Sequence, residues 1–240
     1  FVFVLEARVG GGGPVSRTLH DNVSGKRVLS KMGIINRTHH YIRTKMNDGN
    51  ASYEEVLKRG QRLGYGWVNP TADVEGFDAA YKLSILSSLA FHTKIPFSKI
   101  YREGITHITA EDIQYGKQLG YALKLLAIGK NTDEGIEVRV HPTYIKNTHP
   151  LASVKDSYNA VYITGDCVED VMLYGRGAGA MPTASAIVGD VIYCATHPNF
   201  RYSTFKNTAE ADPATKFIDN FKSAYYLRLN AHDKADVLAT

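Results

Sequence analysis

Asn69-Pro-Thr-Ala-Asp73-Val-Glu75-Gly-Phe-Asp78-Ala-Ala-Tyr-Lys82 places three carboxylates and one amine at the start of a helix. Asn-Pro favours a turn, and from Val74 onward the spacing of Phe77, Ala79, Ala80, Leu83, Ile85, Leu86 and Leu89 predicts a helix rather than a strand. At about 100° per residue, Glu75, Asp78 and Lys82 share the arc of Ile85, Leu86 and Leu89, while Ser84, Ser87 and Ser88 take the other side. The charged stripe is therefore expected to point inward and to line a cleft. An exposed i, i+4 pair such as Asp78 and Lys82 is worth only about 0.2–0.5 kcal/mol and usually carries no function. Inward direction and the added Asp73 and Glu75 change that, because ionised groups withdrawn from water must be paired or used.

Downstream of this helix, Thr109-Ala-Glu-Asp112 reads as a helix cap, with the helix ending at Gly120. Ala122 to Ile128, Gly135 to Ile145, Ser157 to Thr164 and Val171 to Tyr174 are strand-like runs rich in Val, Ile, Leu and Tyr. Short links between them favour antiparallel pairing. Thr183 to Cys194 returns to helix. Upstream, Phe1 to Val9 reads as a strand, Gly10-Gly-Gly-Gly-Pro14 as a loop whose backbone can approach a ligand closely, and Val15 to Asn22 as a short helix. Arg27 to Ile35 is strand-like, Asn36 to Met46 suits a helix, and Ser52-Tyr-Glu-Glu55 fits a capping box. The fold class is α/β (α+β): a mixed sheet covered by helices on one face. Phe1 to Val9 begins as if inside a domain, and Tyr225 to Ala239 has a strand followed by the start of a helix.

Composition narrows the function. With 240 residues and 44% hydrophobic content the chain can bury a substantial core, and a net charge of +4 with scattered Lys and Arg gives no reason to expect a nucleic-acid partner. No apolar run reaches membrane-spanning length. Two cysteines, Cys167 and Cys194, with no CxxC pair, suit a reducing cytoplasmic setting, though a single disulfide stays open. His20, His39, His40 and His92 lack the spacing of a helix-borne metal site, and His141-Pro-Thr reads as a structural bracket where a strand meets a turn. Gly175-Arg-Gly177-Ala-Gly179-Ala180 formally matches a dinucleotide fingerprint after a strand. The second strand with its acid about 20 residues on is missing, so a complete mononucleotide unit is not expected there.

Glu6-Ala-Arg-Val-Gly-Gly-Gly-Gly-Pro14, Gly33-Ile-Ile-Asn36, the Asn69 to Lys82 stretch, Glu103-Gly-Ile, Val138-Arg-Val-His-Pro-Thr143 and Gly175 to Ser185 together resemble homoserine dehydrogenase, in that family's order. The resemblance covers nearly the whole chain. It implies a reversible oxidoreductase joining L-homoserine and L-aspartate 4-semialdehyde with NAD(P), in the route to threonine and methionine. It also implies that residues 1–22 close a Rossmann-type nucleotide-binding domain. Residues 23–222 would form the catalytic and dimerisation domain, its last helix region returning to the nucleotide domain, and 223–240 would begin an ACT-type regulatory domain.

Carried over position by position, the resemblance makes Lys82 the proton donor with Asp78 beside it as a catalytic and substrate-binding carboxylate, and Asp73 another acid of the site. Gly177 and Gly179, with Asn36 and Pro14, fall on the cofactor side. Glu6 and the main-chain oxygens of Val9, Gly11 and Gly13 match a sodium site, and the family is expected to form homodimers or higher homo-oligomers. Two departures stand out. Trp67 occupies the place of a substrate-binding glutamate, a loss on the order of 2–5 kcal/mol unless another acid such as Glu75 substitutes, and Trp67 itself would cap the pocket or lie on the approach loop. Asn36-Arg37-Thr38-His39-His40 replaces the family's Asn-Gly-Thr-Thr-Asn. Without the upstream fingerprint the chain by itself is expected to bind nicotinamide nucleotide poorly and to be inactive. A second reading is an impaired relative serving as an oligomerisation or amino-acid-sensing module.

Overall fold

Runs of β-branched and aromatic residues broken by Gly and Asp assemble into a six-stranded sheet in the computed structural model, which describes residues 4–22, 28–36, 55, 58, 71–155, 158–167, 169–200 and 213–229. The strands are β1 (Val28–Ile34), β2 (Tyr101–Arg102), β3 (Tyr121–Thr132), β4 (Gly135–Lys146), β5 (Tyr158–Gly165) and β6 (Glu169–Arg176). Their order across the sheet is β2-β4-β3-β1-β5-β6. Neighbours pair antiparallel except β2 and β4, which run parallel, so the sheet is mixed. β1 sits centrally, with Lys31 between Gly129 of β3 and Ile163 of β5, and its chain continues through Ile35 to Asn36.

The helices are α1 (Glu6–Val9), α2 (Val15–Arg17, prolonged by a π-type turn Thr18–Asn22), α3 (Thr71–Val74), α4 (Phe77–Phe91), α5 (Ala110–Gln118) and α6 (Ala180–Thr196). α4 and α5 cover one face of the sheet. There Leu83, Leu86 and Leu89 join Leu125, Ala127, Val138, Val140, Val161 and Ile163 in the main core. Each fully buried leucine contributes at most about 1.5–3 kcal/mol relative to exposure. Ile34, Leu126, Ile128 and Ala160 face the other way and are capped by Leu151 and Val154, around the 3₁₀ turn Pro150–Ser153. Beside β2, the outer edge of β4 is paired by Phe217 at Ile136, which leaves less backbone open to unwanted pairing.

Several local expectations change. Glu6–Val9 is helical instead of a strand, because the Glu6 amide bonds Asp190 Oδ2 at 3.1 Å and its carboxylate is drawn to the start of α2. The helix expected to run on from Val74 breaks at Glu75-Gly76, where Gly76 takes a left-handed conformation (φ 77°) open to glycine at little cost. The serines of α4 are not its wet side: Ser87 and Ser88 are buried, and Ser88 Oγ donates to Ser84 O while accepting the Ile95 amide. His141 lies inside β4, not at its end, and Tyr225–Leu229 forms no strand. The Thr109 capping box is present as expected, with Asp112 closing it. The helices expected at Asn36 to Met46 and around Ser52, together with Arg37, His39, His40 and Trp67, lie outside the described residues, apart from Asn36, Glu55 and Lys58.

Candidate active site

Asn36, at the end of the central strand, is the hub of the polar cluster. Its Nδ2 donates to Asp73 Oδ1 at 2.8 Å and to Asp78 Oδ2 at 2.9 Å. Lys82 Nζ donates to the same Asp78 Oδ2 at 2.8 Å and to the carbonyl of Ile35 at 2.9 Å. The break at Gly76 makes this possible, because it turns Asp73 off the axis of α4 and toward the end of β1 while Asp78 and Lys82 stay one helical turn apart. The Lys82 side chain is 19% exposed and that of Asp78 34%, so the ion pair stands at the wall of the protein and not in bulk water. Asp73 is buried, and among the described residues its Oδ2 has no hydrogen-bond partner. A buried carboxylate oxygen left unpaired is costly, and a donor supplied by a ligand would relieve it.

Glu75 is elsewhere. Its carbonyl accepts Arg102 Nη1 at 2.7 Å, and a Cβ at Gly104 would stand 2.9 Å from Glu75 Oε2, so the carboxylate lies against Gly104 and pairs with neither Asp78 nor Lys82. That Cβ would also come within 2.6 Å of Val74 O, which accounts for the glycine in Glu103-Gly-Ile.

The glycine loop lies beside this cluster. Gly12 N donates to Arg176 O at 2.9 Å, and a Cβ on Gly11 would be 2.4 Å from Gly177 O, so the loop is stitched to the end of β6. Gly177 lies flush against the Asn159 side chain, Gly179 is the residue before α6, and Pro14 precedes α2. A narrow crevice runs along Val9, Gly10, Gly13, Ile35, Asn159 and Gly175. Ile35 connects it to Lys82. Asn159 is buried, and its Oδ1 has no hydrogen-bond partner among the described residues.

The expected sodium ligands are arranged otherwise. The Glu6 carboxylate accepts the amides of Ser16 at 2.9 Å and Arg17 at 3.0 Å, capping α2, and Gly13 O accepts the Val15 amide. Burial raises the Glu6 pKa against the lowering effect of those amides and of Arg17. Among the described residues no group of three His, Cys, Asp or Glu side chains could hold a metal. Neither Cys167 nor Cys194 is in a disulfide.

Lys82, Asp78 and Asp73, expected together from the sequence, meet in the structure through Asn36, which the sequence does not mark as their link. Asn36 was expected on the cofactor side, and nothing local marks the Ile35 carbonyl or Arg102 as partners.

The end of the central strand thus carries an amide that bonds two carboxylates, one of them paired with a lysine, and comparison with known proteins gives the family in which this arrangement belongs. A family model described as homoserine dehydrogenase matches residues 14–192, and the chain belongs to that family. It is 40% identical over 240 residues to homoserine dehydrogenase of Neisseria gonorrhoeae, covering 98% of this chain and 55% of that protein. It is 48% identical over 193 residues to that of Synechocystis, covering 79% and 45%. The crystal structure of a homoserine dehydrogenase from Thiobacillus denitrificans superposes with a TM-score of 0.79 at 42% identity, over 84% of this chain and 48% of that one. A hyperthermophilic archaeal homoserine dehydrogenase in complex with NADPH superposes with a TM-score of 0.69 at 25% identity, over 82% and 56%. The chain thus spans about half the length of the relatives it matches.

Proposed function

We propose that this chain is the substrate-handling part of an enzyme that interconverts L-homoserine and L-aspartate 4-semialdehyde, with Lys82 as proton donor to the carbonyl oxygen. The observation that carries the reading is the double anchoring of Lys82 Nζ by Asp78 Oδ2 and Ile35 O. Asp78 and the carbonyl aim the amine, so a developing alkoxide beside it would be stabilised by the ammonium until it takes the proton, which leaves a neutral amine. Asn36 fixes Asp78 and Asp73 Oδ1, and the second oxygen of Asp73 is the acid we assign to a substrate ammonium. When bound, NAD(P) supplies or takes up the hydride. Gly177, Gly179, Pro14 and Asn159 are this chain's contribution to holding its nicotinamide end, with Asn36 on the substrate side. Glu75, turned to Gly104, replaces the missing glutamate only if it swings round.

The test is reduction of aspartate semialdehyde by the protein that carries this chain behind a nucleotide-binding half. Lys82→Met should lower kcat by about 10²–10⁴-fold with little change in Tm, and an unchanged kcat would reject the role of Lys82. The sensing alternative predicts the opposite pairing, homoserine or threonine uptake in a calorimeter with no turnover.

The domain reading forms part of the proposal. Met181, Ile187, Val188, Val191 and Ile192 of α6 are each at least half exposed, an apolar face of the kind a nucleotide-binding domain would cover. Tyr158 and Tyr174, stacked with ring centroids 4.8 Å apart, offer part of the sheet for homodimerisation, and residues 223–229 would lead into an ACT-type domain. A sodium ion would have to rely on main-chain oxygens such as those of Val9 and Gly11. A higher Tm in sodium chloride than in tetramethylammonium chloride of equal strength would support it. The two reduced cysteines suit the cytoplasm. No helix among the described residues is long and apolar enough to cross a membrane.

A further inference from the structure

The two carboxylates that meet on Asn36 are separated by a short irregular turn, and the spacing of that turn decides whether both can reach one amide. Its regular support is thin. Glu75 N reaches Thr71 O, Gly76 N reaches Asp73 O, and then the chain reverses through the left-handed Gly76 into α4. The Glu75 carbonyl, just past the end of α3, is left without a helical donor of its own.

Arg102 fills that gap from the edge of the sheet. Its Nη1 donates to Glu75 O at 2.7 Å, and its Cζ stands 3.5 Å from the centroid of the Phe77 ring. One planar fork thus holds the residue before Gly76 and the residue after it. The strand that carries Arg102 is rooted on both sides: β2 pairs with Arg139 and Val140, Glu103 N donates to Val140 O, and Ile105 N donates to Val74 O. Tyr101, the neighbouring residue, rests edge-on against Phe221 at 5.4 Å and His141 at 6.3 Å.

We propose that Arg102 is a positioning residue for the Asp73 and Asp78 pair: it clamps the turn between them across Glu75 O and the Phe77 ring, and so keeps both carboxylates on Asn36 and Asp78 on Lys82. It is not among the hydrogen-bond partners of Lys82. A displacement of about 1 Å in such a pair is enough to spoil a reacting geometry. The proposal rests on the functional reading above only for what the acid pair does in catalysis, and its experiment needs no substrate.

The experiment follows deuterium exchange of the two Asn36 side-chain amide hydrogens by NMR in the ¹⁵N-labelled chain, since both are held by carboxylates. Arg102→Met is expected to speed that exchange about tenfold while backbone amides of β3 and β5 keep their protection. Arg102→Lys, which can still donate to Glu75 O but has no plane to stack, should fall between. Unchanged Asn36 exchange in Arg102→Met overturns the proposal. If that variant does not fold, Phe77→Leu takes its place, with a several-fold acceleration expected and no acceleration overturning the clamp. Uptake of homoserine by the unsubstituted chain is measured separately, and its failure would sink the functional reading while leaving the clamp standing.

Discussion

Lys82 and Asp78 face each other at 2.8 Å one helical turn apart, and the oxygen they share is also the one that receives Asn36. Asp78 Oδ2 therefore accepts from two donors, one charged. Asp78→Asn removes the anion and leaves one neutral amide oxygen to accept from both Lys82 and Asn36. The expected result is a loss of about 10²-fold in kcat with a smaller change in KM, measured in the NAD(P)H-linked assay. A fall in KM-dependent terms alone would assign Asp78 to binding and not to proton transfer.

Asn36→Leu tests the hub. It strips Asp73 Oδ1 and Asp78 Oδ2 of their shared donor, and Asp73 is buried. Leaving a buried acceptor unsatisfied costs about 1–3 kcal/mol, so thermal or urea unfolding should register a clear loss of stability. Asn36→Asp should be worse, because it puts a third carboxylate where two already converge.

The parts of this arrangement that the sequence made legible are those decided within a few residues. Asp78 and Lys82 meet because four residues make one helical turn, and Thr109 caps α5 because its own side chain reaches the Asp112 amide. The strands of the sheet show in their β-branched runs. What stayed hidden depends on distant partners. Asn36 meets Asp73 across 37 positions, and Glu6 turns its segment helical through Asp190, 184 positions away. Ser87 and Ser88 look like a wet helix face, yet helix serines can bond back to the preceding turn, as Ser88 does, and go inside.

Lys31 is an unusual occupant of a central strand. It is buried, its Nζ has no hydrogen-bond partner among the described residues, and it lies 5.2 Å over the Phe91 ring. Burial alone depresses its pKa well below the usual lysine value. In the unfolded chain the amine holds its proton up to the ordinary value, so between the depressed folded pKa and that value the unfolded state binds more protons. Stability should accordingly rise with pH across that window and be lower beneath it. Lys31→Met removes the proton uptake and keeps the volume. It is expected to raise Tm at neutral pH and to flatten the slope of stability against pH, as read from urea titrations at several pH values. A slope equal to that of the unsubstituted chain would show that Lys31 is charged in place.

The Tyr226 and Arg228 side chains should loosen from α5 in acid through Asp112. Burial would raise the pKa of this carboxylate, but the Thr109 hydroxyl and amide, Arg228 and the Tyr226 hydroxyl together outweigh it and bring the pKa below the ordinary value. Tyr226 OH donates to Asp112 Oδ1 at 3.2 Å, and Arg228 Nη1 reaches that oxygen at 3.3 Å and Glu111 Oε2 at 2.7 Å. A depressed carboxylate pKa contributes stability that is present above the unfolded value and lost as pH falls through the folded one. Tyr226 and Arg228 should therefore come away from α5 in that acidic window while the sheet persists, visible as a shift of the Tyr226 ring resonances toward those of a free tyrosine. Asp112→Asn should release them at neutral pH and abolish the titration. Tyr144→Phe should not, since the Tyr144 hydroxyl bonds the Asp112 carbonyl and not its carboxylate.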